Sequence, residues 1–531
     1  MAPYFGLRGL PLLIAITFTC SVGFLLFGNS LAFHPARTLD TTDSFSGYDN
    51  GVFSGLTTDP RFLDTMGNPN PTLLGFIVAV YELGCLAGAL ASAVWGEDMG
   101  RRKLTALGSF VLVIGTVIQC TSYGQGQMIA GRIVTGLGMG GITSAVPVWQ
   151  CETTPAKWRG RAIAAELSTL IVGIVIAYWI DYGCSTYTNG FQWRFPIAFQ
   201  IVFALLLIVL CFCLPESPRW LASHGREQEA LETICVLRDG HPEDEIVALE
   251  FNEIRDAIAL EEEESGSWKD CFSDGGIMGW QRVAIACSAQ ALQEFTGTNI
   301  ITYYAPYVMV HSVGLNAHQS LLLSGGLQLW FLAASFIPWF ILDKVGRRKL
   351  FIFGNLGMGS CMLISGLTIM AGGRNNGIAA VVMLYMFQAF FTWGWMSNMW
   401  SYPSEILPLR IRQRGSALSV VWQWLITFLV VEITPVGIAN IGWKLYVVFC
   451  ILNWASIFVV WFYYPETAGK TLESIDFLFA SQTSLRQVVK LSKRKDIDVA
   501  HEMQRQVHQQ KVEGGKTEHE EGTTVEIDSK A

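Results

Sequence analysis

Gly100-Arg101-Arg102-Lys103-Leu104 recurs 246 residues later as Gly346-Arg347-Arg348-Lys349-Leu350. Glu152, Pro155 and Arg159 return as Glu405, Pro408 and Arg412 at an offset of 253, and Pro215-Glu216 returns as Pro465-Glu466 at an offset of 250. Three motifs at nearly one spacing divide the chain into two related halves. One basic loop alone would signal topology; carboxylates and arginines repeated at three places ask for a shared mechanical role. Between the motifs lie apolar runs near 72–95, 104–121, 127–150, 162–183 and 193–214, and again near 281–306, 320–342, 350–371, 378–400, 415–438 and 443–464. The N-terminal run from Leu10 supplies a twelfth. Each has the roughly 20 residues needed to cross a hydrocarbon core.

Composition agrees. The chain has 531 residues, 51% apolar and only 15% charged, with a mean hydropathy of +0.37; a soluble domain carries about 25% charged residues. Disorder is excluded and a water-soluble enzyme disfavoured. The 18 Trp and 52 Gly suit membrane interfaces and packed membrane helices. Most of the twelve Cys sit singly in apolar runs, so they read as packing residues and not as a disulfide or zinc framework. The net charge of −8 comes mostly from polar stretches, above all the acidic 215–280.

Thirteen Lys and Arg occupy one set of short loops and two, Arg61 and Arg374, the other. The positive set belongs in the cytoplasm, which places both termini and the 215–280 loop there. The expected fold is therefore an all-α membrane protein of twelve transmembrane helices in two six-helix pseudo-repeated halves. Residues 1–214 form the N-terminal half. Residues 215–280 form a cytoplasmic loop whose apolar spacing (Ile246, Leu249, Ile254, Ile258) predicts short amphipathic helices. Residues 281–464 form the C-terminal half, and 465–531 a cytoplasmic tail that reads as largely disordered.

Together these motifs resemble the major facilitator superfamily, and within it the sugar porters, especially those of fungi. The resemblance covers about residues 10–480. It rests on Gly47-Tyr48-Asp49, Gly131-Arg132 with Gly136 and Gly138, Pro215-Glu216-Ser217-Pro218-Arg219, Gln293 through Tyr304, and Pro465-Glu466-Thr467. It implies alternating access, with a cytoplasmic gate of Glu97, Arg101, Arg102, Glu152, Arg159, Glu216, Asp343, Arg347, Arg348, Glu405, Arg412 and Glu466. Acids and bases at equivalent helix ends are expected to pair across the two halves when that side shuts and part when it opens. Glu97 stands where the family's gate motif has Asp; Asp343 keeps the Asp in the second half.

Ionised side chains inside a span cost roughly 2.5–3.5 kcal/mol on insertion scales, so each needs a reason. Asp49 lies late in an outward-running helix and Arg132 early in an inward-running one, which sets both at one depth. Paired, the acid stays ionised; separated, it takes up a proton. The resemblance implies that this pair couples proton entry to transport. A static buried ion pair is the plainer alternative. Glu166 and Asp181 fall near span ends and are expected to reach water. Glu432 lies toward the outer end of its helix, and Glu82 is deeper, facing either the cavity or a neighbouring helix.

The stretch from Gln293 to Pro306 is polar in the middle of a span, and Gly297 and Pro306 make it breakable. Amides there offer paired donors and acceptors to vicinal hydroxyls. Sugar porters read substrate from this helix with two Gln, an Asn and a Tyr; here the positions hold Gln293, Glu294, Asn299 and Tyr303. The family likeness also implies Trp400, Gln423 and Trp424 as substrate contacts. The family's glutamine on the fifth span is Leu167 here, which points away from ordinary glucose and leaves pentoses, other hexoses and sugar acids open.

One span is interrupted. Residues 29–47 carry His34, Pro35, Arg37, Asp40 and Asp43, which do not suit lipid, and deleting them restores Leu25-Leu26-Phe27-Gly28-Tyr48-Asp49. The nineteen codons are compatible with intron donor, branch and acceptor signals, so a retained intron or gene-model insertion is expected; an extruded loop is the alternative.

The sequence thus predicts proton-coupled monosaccharide uptake, hexose or pentose, at the plasma membrane. Facilitated diffusion and a non-transporting nutrient sensor are the alternatives. Expected partners are a small-molecule sugar and the lipid bilayer, with no nucleic acid, in a monomer. No catalytic residue, metal or cofactor is expected, only a co-transported proton.

Overall fold

The computed structural model describes residues 7–27, 47–264, 268–273, 278–338, 341, 345–396, 398–468, 470, 472–480 and 484–493, with side chains undescribed at 24–27, 47, 50, 156–168, 257, 260–264, 400, 409, 413, 472–473 and 480. Residues 29–46 and Asp343, and the side chains of Arg159, Glu166, Leu167 and Trp400, lie outside the described set.

The described residues are helical throughout, without strands. The first half contains α1 (Gly9–Phe27), α2 (Gly47–Leu56), α3 (Pro71–Met99), α4 (Arg101–Cys120), α5 (Gln125–Thr153), α6 (Ala156–Cys184) and α7 (Phe191–Cys213). The stretch between the halves holds α8 (Glu227–Arg238) and α9 (Glu245–Glu264). The second half contains α10 (Gly279–Glu294), α11 (Thr298–His311), α12 (Ala317–Ser335), α13 (Arg347–Ala371), α14 (Arg374–Phe391), α15 (Asn398–Ile406), α16 (Leu409–Ile441) and α17 (Lys444–Tyr463). Among the described residues, eight spans are long and apolar enough to cross a membrane unaided. The joined pieces α1/α2 and α10/α11, with α6 and α12, bring the spans to twelve.

Glycine sets the closest packing. A Cβ on Gly88 would lie 2.2 Å from the Leu137 carbonyl oxygen, and one on Gly136 would lie 2.3 Å from that of Tyr81. The backbones of α3 and α5 therefore touch, as small residues permit where lipid offers no hydrophobic drive between helices.

The repeated Gly-Arg-Arg motif turns the same corner twice. Gly100 has φ +84° and Gly346 φ +94°, conformations that disfavour a side chain. Each opens a helix with a glutamate as its cap. Glu216 accepts from the Arg102 N–H at 3.1 Å, and Glu466 from the N–H groups of Arg347 (2.8 Å) and Arg348 (3.2 Å). A carboxylate against free N–H groups at a helix N-terminus is electrostatically favourable. Burial nevertheless pushes the Glu216 carboxyl above its ordinary value.

The beginning of the tail packs against the membrane domain. Its first part forms α18 (Leu472–Ala480) and α19 (Leu485–Leu491), and Asp476 pairs with the buried Arg282. Apolar Ile475, Leu478, Phe479 and Val488 join the main core, which offsets the cost of ordering this stretch.

Candidate functional site

The close approach of α3 and α5 positions Arg132. Its guanidinium pairs with Asp49 on α2, both side chains fully buried. It also donates to the carbonyls of Ile77 (3.3 Å) and Val78 (2.6 Å) on α3. The Phe53 and Tyr81 rings flank it at 3.8 and 4.5 Å. A planar, delocalised cation with several donors suits this slot better than an ammonium would. The sequence suggested the pair; the carbonyl anchors and aromatic faces were not readable, since helical periodicity does not say which residue of another helix comes near.

The seventh span breaks as the sequence predicted. The chain passes from α10 to α11 through Gly297 at φ +90°, and the helix is distorted again at Tyr304, two residues before Pro306. The break frees backbone acceptors, and Asn453 on α17 donates to the Thr296 carbonyl at 2.8 Å. Gln293, Glu294, Asn299 and Tyr303 are all buried around the break. Asn299 donates its amide to Glu294, and Gln423 on α16 reaches the other oxygen of the same carboxyl at 3.4 Å. Tyr303 donates across the halves to Glu82 on α3. That answers the question left by Glu82's depth, since it faces the second half. Trp424 is buried and packs with Val420 in an apolar cluster that includes Ile16, Cys85 and Val146 of the first half.

The two halves meet on the side of these residues away from the Gly-Arg-Arg motifs. Tyr178 on α6 donates to the Thr302 carbonyl at 3.1 Å, and a Cβ on Gly75 would lie 2.5 Å from the Glu432 carbonyl oxygen of α16. Asp181 is a correction: expected to reach water, it is only 6% exposed, because α2 packs its Gly55 directly against that carboxyl.

At the end that carries the two Gly-Arg-Arg motifs, the ion pairs seen among the gate residues stay within a half. Arg101 pairs with Glu152 at 3.1 Å, and Arg347 with Glu405 at 3.1 Å. Arg102 donates to the Leu214 carbonyl at 3.0 Å, Arg348 to that of Trp461 at 2.5 Å, and Arg412 to that of Leu407 at 3.0 Å. Glu97 is exposed and contributes its carbonyl, which accepts from the Trp220 indole at 2.5 Å. Pairing across the halves is expected only when this end is shut; the pairs described here lie inside each half. Each arginine heads the helix beside its acid's helix, so the local partner is the nearer one.

A family model described as sugar (and other) transporter matches residues 40–479. The chain belongs to the sugar transporter family. Within this family it is 37% identical over 490 residues to the sugar transporter STL1 of Saccharomyces cerevisiae, covering 90% of the chain and 83% of the relative. It is 35% identical over 495 residues to the MFS-type transporter oryC of Aspergillus oryzae, covering 91% and 88%. Among solved structures it is similar to the inward-open xylose transporter XylE of E. coli, with a TM-score of 0.71, 25% identity and coverage of 87% and 99%. The fold is accordingly that of the major facilitator sugar porters, and the chain is a multi-pass membrane transporter and not an enzyme.

Proposed function

We propose that this transporter imports a monosaccharide, hexose or pentose, together with a proton across the plasma membrane by alternating access. The observation that carries the reading is the buried Asp49–Arg132 pair and its connection to the sugar site. The same helix α3 anchors Arg132 through Ile77 and Val78 and accepts Tyr303 through Glu82 one turn later. A movement of α11 on substrate binding is thereby passed to the arginine that holds the acid. When Arg132 withdraws, Asp49 is left as a lone buried charge and takes a proton from the open side. The similar XylE is described as a proton:xylose symporter, bound there to 6-bromo-6-deoxy-D-glucose, and a Kluyveromyces lactis relative, 29% identical, is a high-affinity glucose transporter; both support the reading.

Labelled-sugar uptake in transporter-null cells tests it. Uptake should be accumulative, abolished by an uncoupler and accompanied by cytoplasmic acidification. Asp49→Asn should lose accumulation while keeping exchange. Accumulation against a gradient by Asp49→Asn would refute the coupling role.

We also propose that the working transporter lacks residues 29–47. The helices α1 and α2 have 19 and 10 residues, together the 29 of each of α3, α5 and α6. With Gly28 standing in the place of Gly47, the two pieces make one full span. A cDNA population that always carries these codons would overturn this.

A further inference from the structure

Asp181 belongs neither to the sugar site nor to the Asp49–Arg132 pair. It lines a cavity of about 310 Å³ between the halves, together with Asp59 and Arg61 from the stretch after α2, Tyr187 from the stretch after α6, and His318 and Leu321 of α12. The side chain is 6% exposed, and neither of its carboxyl oxygens has a hydrogen-bond partner among the described residues. The second half closes beside it. Trp179 and Tyr182, close to Asp181 along α6, meet Gly325, whose Cβ would lie 3.6 Å from the Trp179 ring, and His318, whose ring centroid is 4.9 Å from that of Tyr182. The groups that sense this carboxyl are Tyr48 from α2 and Tyr178 and Cys184 from α6 itself. The charge acting on it is that of Asp59, a second acid, whose own carboxyl is engaged by the Arg61 and Phe62 N–H groups. Arg61 and His318 share the cavity but are exposed to water. An ionised Asp181 would therefore have left water without gaining a donor or a paired cation, which is costly. A protonated Asp181 is neutral and can donate its O–H into the cavity.

We propose that Asp181 is a second proton-binding site, filled from the medium while the halves are apart at this end and required to be filled before α12 can close beside it. This rests on the transport reading above, which turns this end to the medium. The step is a simple one: the carboxylate takes a proton from water to become the acid, and on reopening the proton returns to the same side. Asp181 therefore adds no proton to the cargo; it sets how readily the loaded carrier turns. The closed form holds a proton that the hydrated open form gives up, so acid favours closure, and closure weakens as the pH rises above the ordinary aspartate range of about 4.

Exchange of labelled sugar at equal concentration on both sides reads this step, because it requires no net proton movement. It is measured in Asp49→Asn, so that the coupling acid contributes nothing to the pH profile. Exchange should fall by about threefold or more as the external pH goes from 5 to 7. Adding Asp181→Asn, which keeps the shape of the side chain without its charge, should remove the fall, whereas adding His318→Gln should leave it in place. If the Asp181→Asn chain does not reach the membrane, Leu321→Ala, which widens the cavity and admits water to the carboxyl, should flatten the fall instead. No fall in Asp49→Asn, a fall that survives Asp181→Asn or Leu321→Ala, or one abolished by His318→Gln would overturn the proposal. Accumulation by Asp49→Asn would instead overturn the coupling reading and leave this one standing.

Discussion

Gly136→Ala probes how the α3–α5 contact holds the ion pair. The new Cβ would lie 2.3 Å from the Tyr81 carbonyl oxygen and 2.9 Å from the Cys85 nitrogen. Both atoms are helix backbone, so no side chain can swing aside. Restoring an ordinary contact of about 3.4 Å separates the helices by roughly 1 Å, the kind of overpacking that costs about 1–3 kcal/mol. Arg132 sits one turn away on the same helix, and its bonds to the Val78 and Ile77 carbonyls are 2.6 and 3.3 Å long. A retreat of about 1 Å carries both past hydrogen-bond range. Arg132 would then keep Asp49 but lose its tie to the helix that carries Glu82. Gly183→Ala, with nothing within 4 Å of its Cβ, serves as control and should match or slightly exceed the parent in stability. The assays are thermal unfolding of the purified protein by size-exclusion fluorescence and the steady-state accumulation ratio of labelled sugar. Gly136→Ala should melt earlier and accumulate less, while Gly183→Ala does neither. Parental melting and accumulation in Gly136→Ala would refute the argument.

Three further outcomes are expected. Gly297→Ala, at φ +90° with Phe449 Cδ1 2.9 Å from the new Cβ, should impair transport, and adding Phe449→Ala should recover only part of it because the left-handed strain of about 1–2 kcal/mol persists; full rescue would mean that sterics alone matter. Arg101→Ala and Glu152→Ala should be non-additive in thermal stability, whereas Arg101→Ala with Glu405→Ala should add within about 0.5 kcal/mol; the reverse would place the gate pairing across the halves. The raised pKa of Glu216 means the folded state holds this proton more tightly than the unfolded chain, so stability rises as pH falls through the folded value toward the unfolded one. Against a Glu216→Gln reference, the parent should therefore gain melting temperature on acidification over that window, and a loss would contradict the burial of this carboxyl as its cause.

Much of the architecture was legible in one dimension. Span length, loop charge and the repeated Gly-Arg-Arg and Pro-Glu motifs are local or periodic signals, and a bilayer enforces them because every unpaired backbone group in hydrocarbon is costly. The break at Gly297 was legible for the same reason. Asp49, Arg132, Glu294 and Tyr303 stood out because charge or polarity in an apolar span demands an explanation. Apart from the Asp49–Arg132 pair itself, their partners did not, because a contact between helices depends on rotation and approach that neither helix encodes alone.

The tertiary structure decided those contacts. It gave Arg132 its carbonyl anchors on α3, turned Glu82 toward Tyr303, buried Asp181 beneath Gly55, and drew Arg101 and Arg347 to acids within their own halves. It also made helix caps of Glu216 and Glu466, which by sequence alone were members of a gate. The sequence by itself determined how many times the chain crosses, which loops carry positive charge, and which side chains are too polar for their surroundings. Which of those side chains meet was settled only by close packing, since backbone contacts at glycine fix helix separation and rotation to a fraction of an ångström, and hydrogen bonds form or fail on that scale.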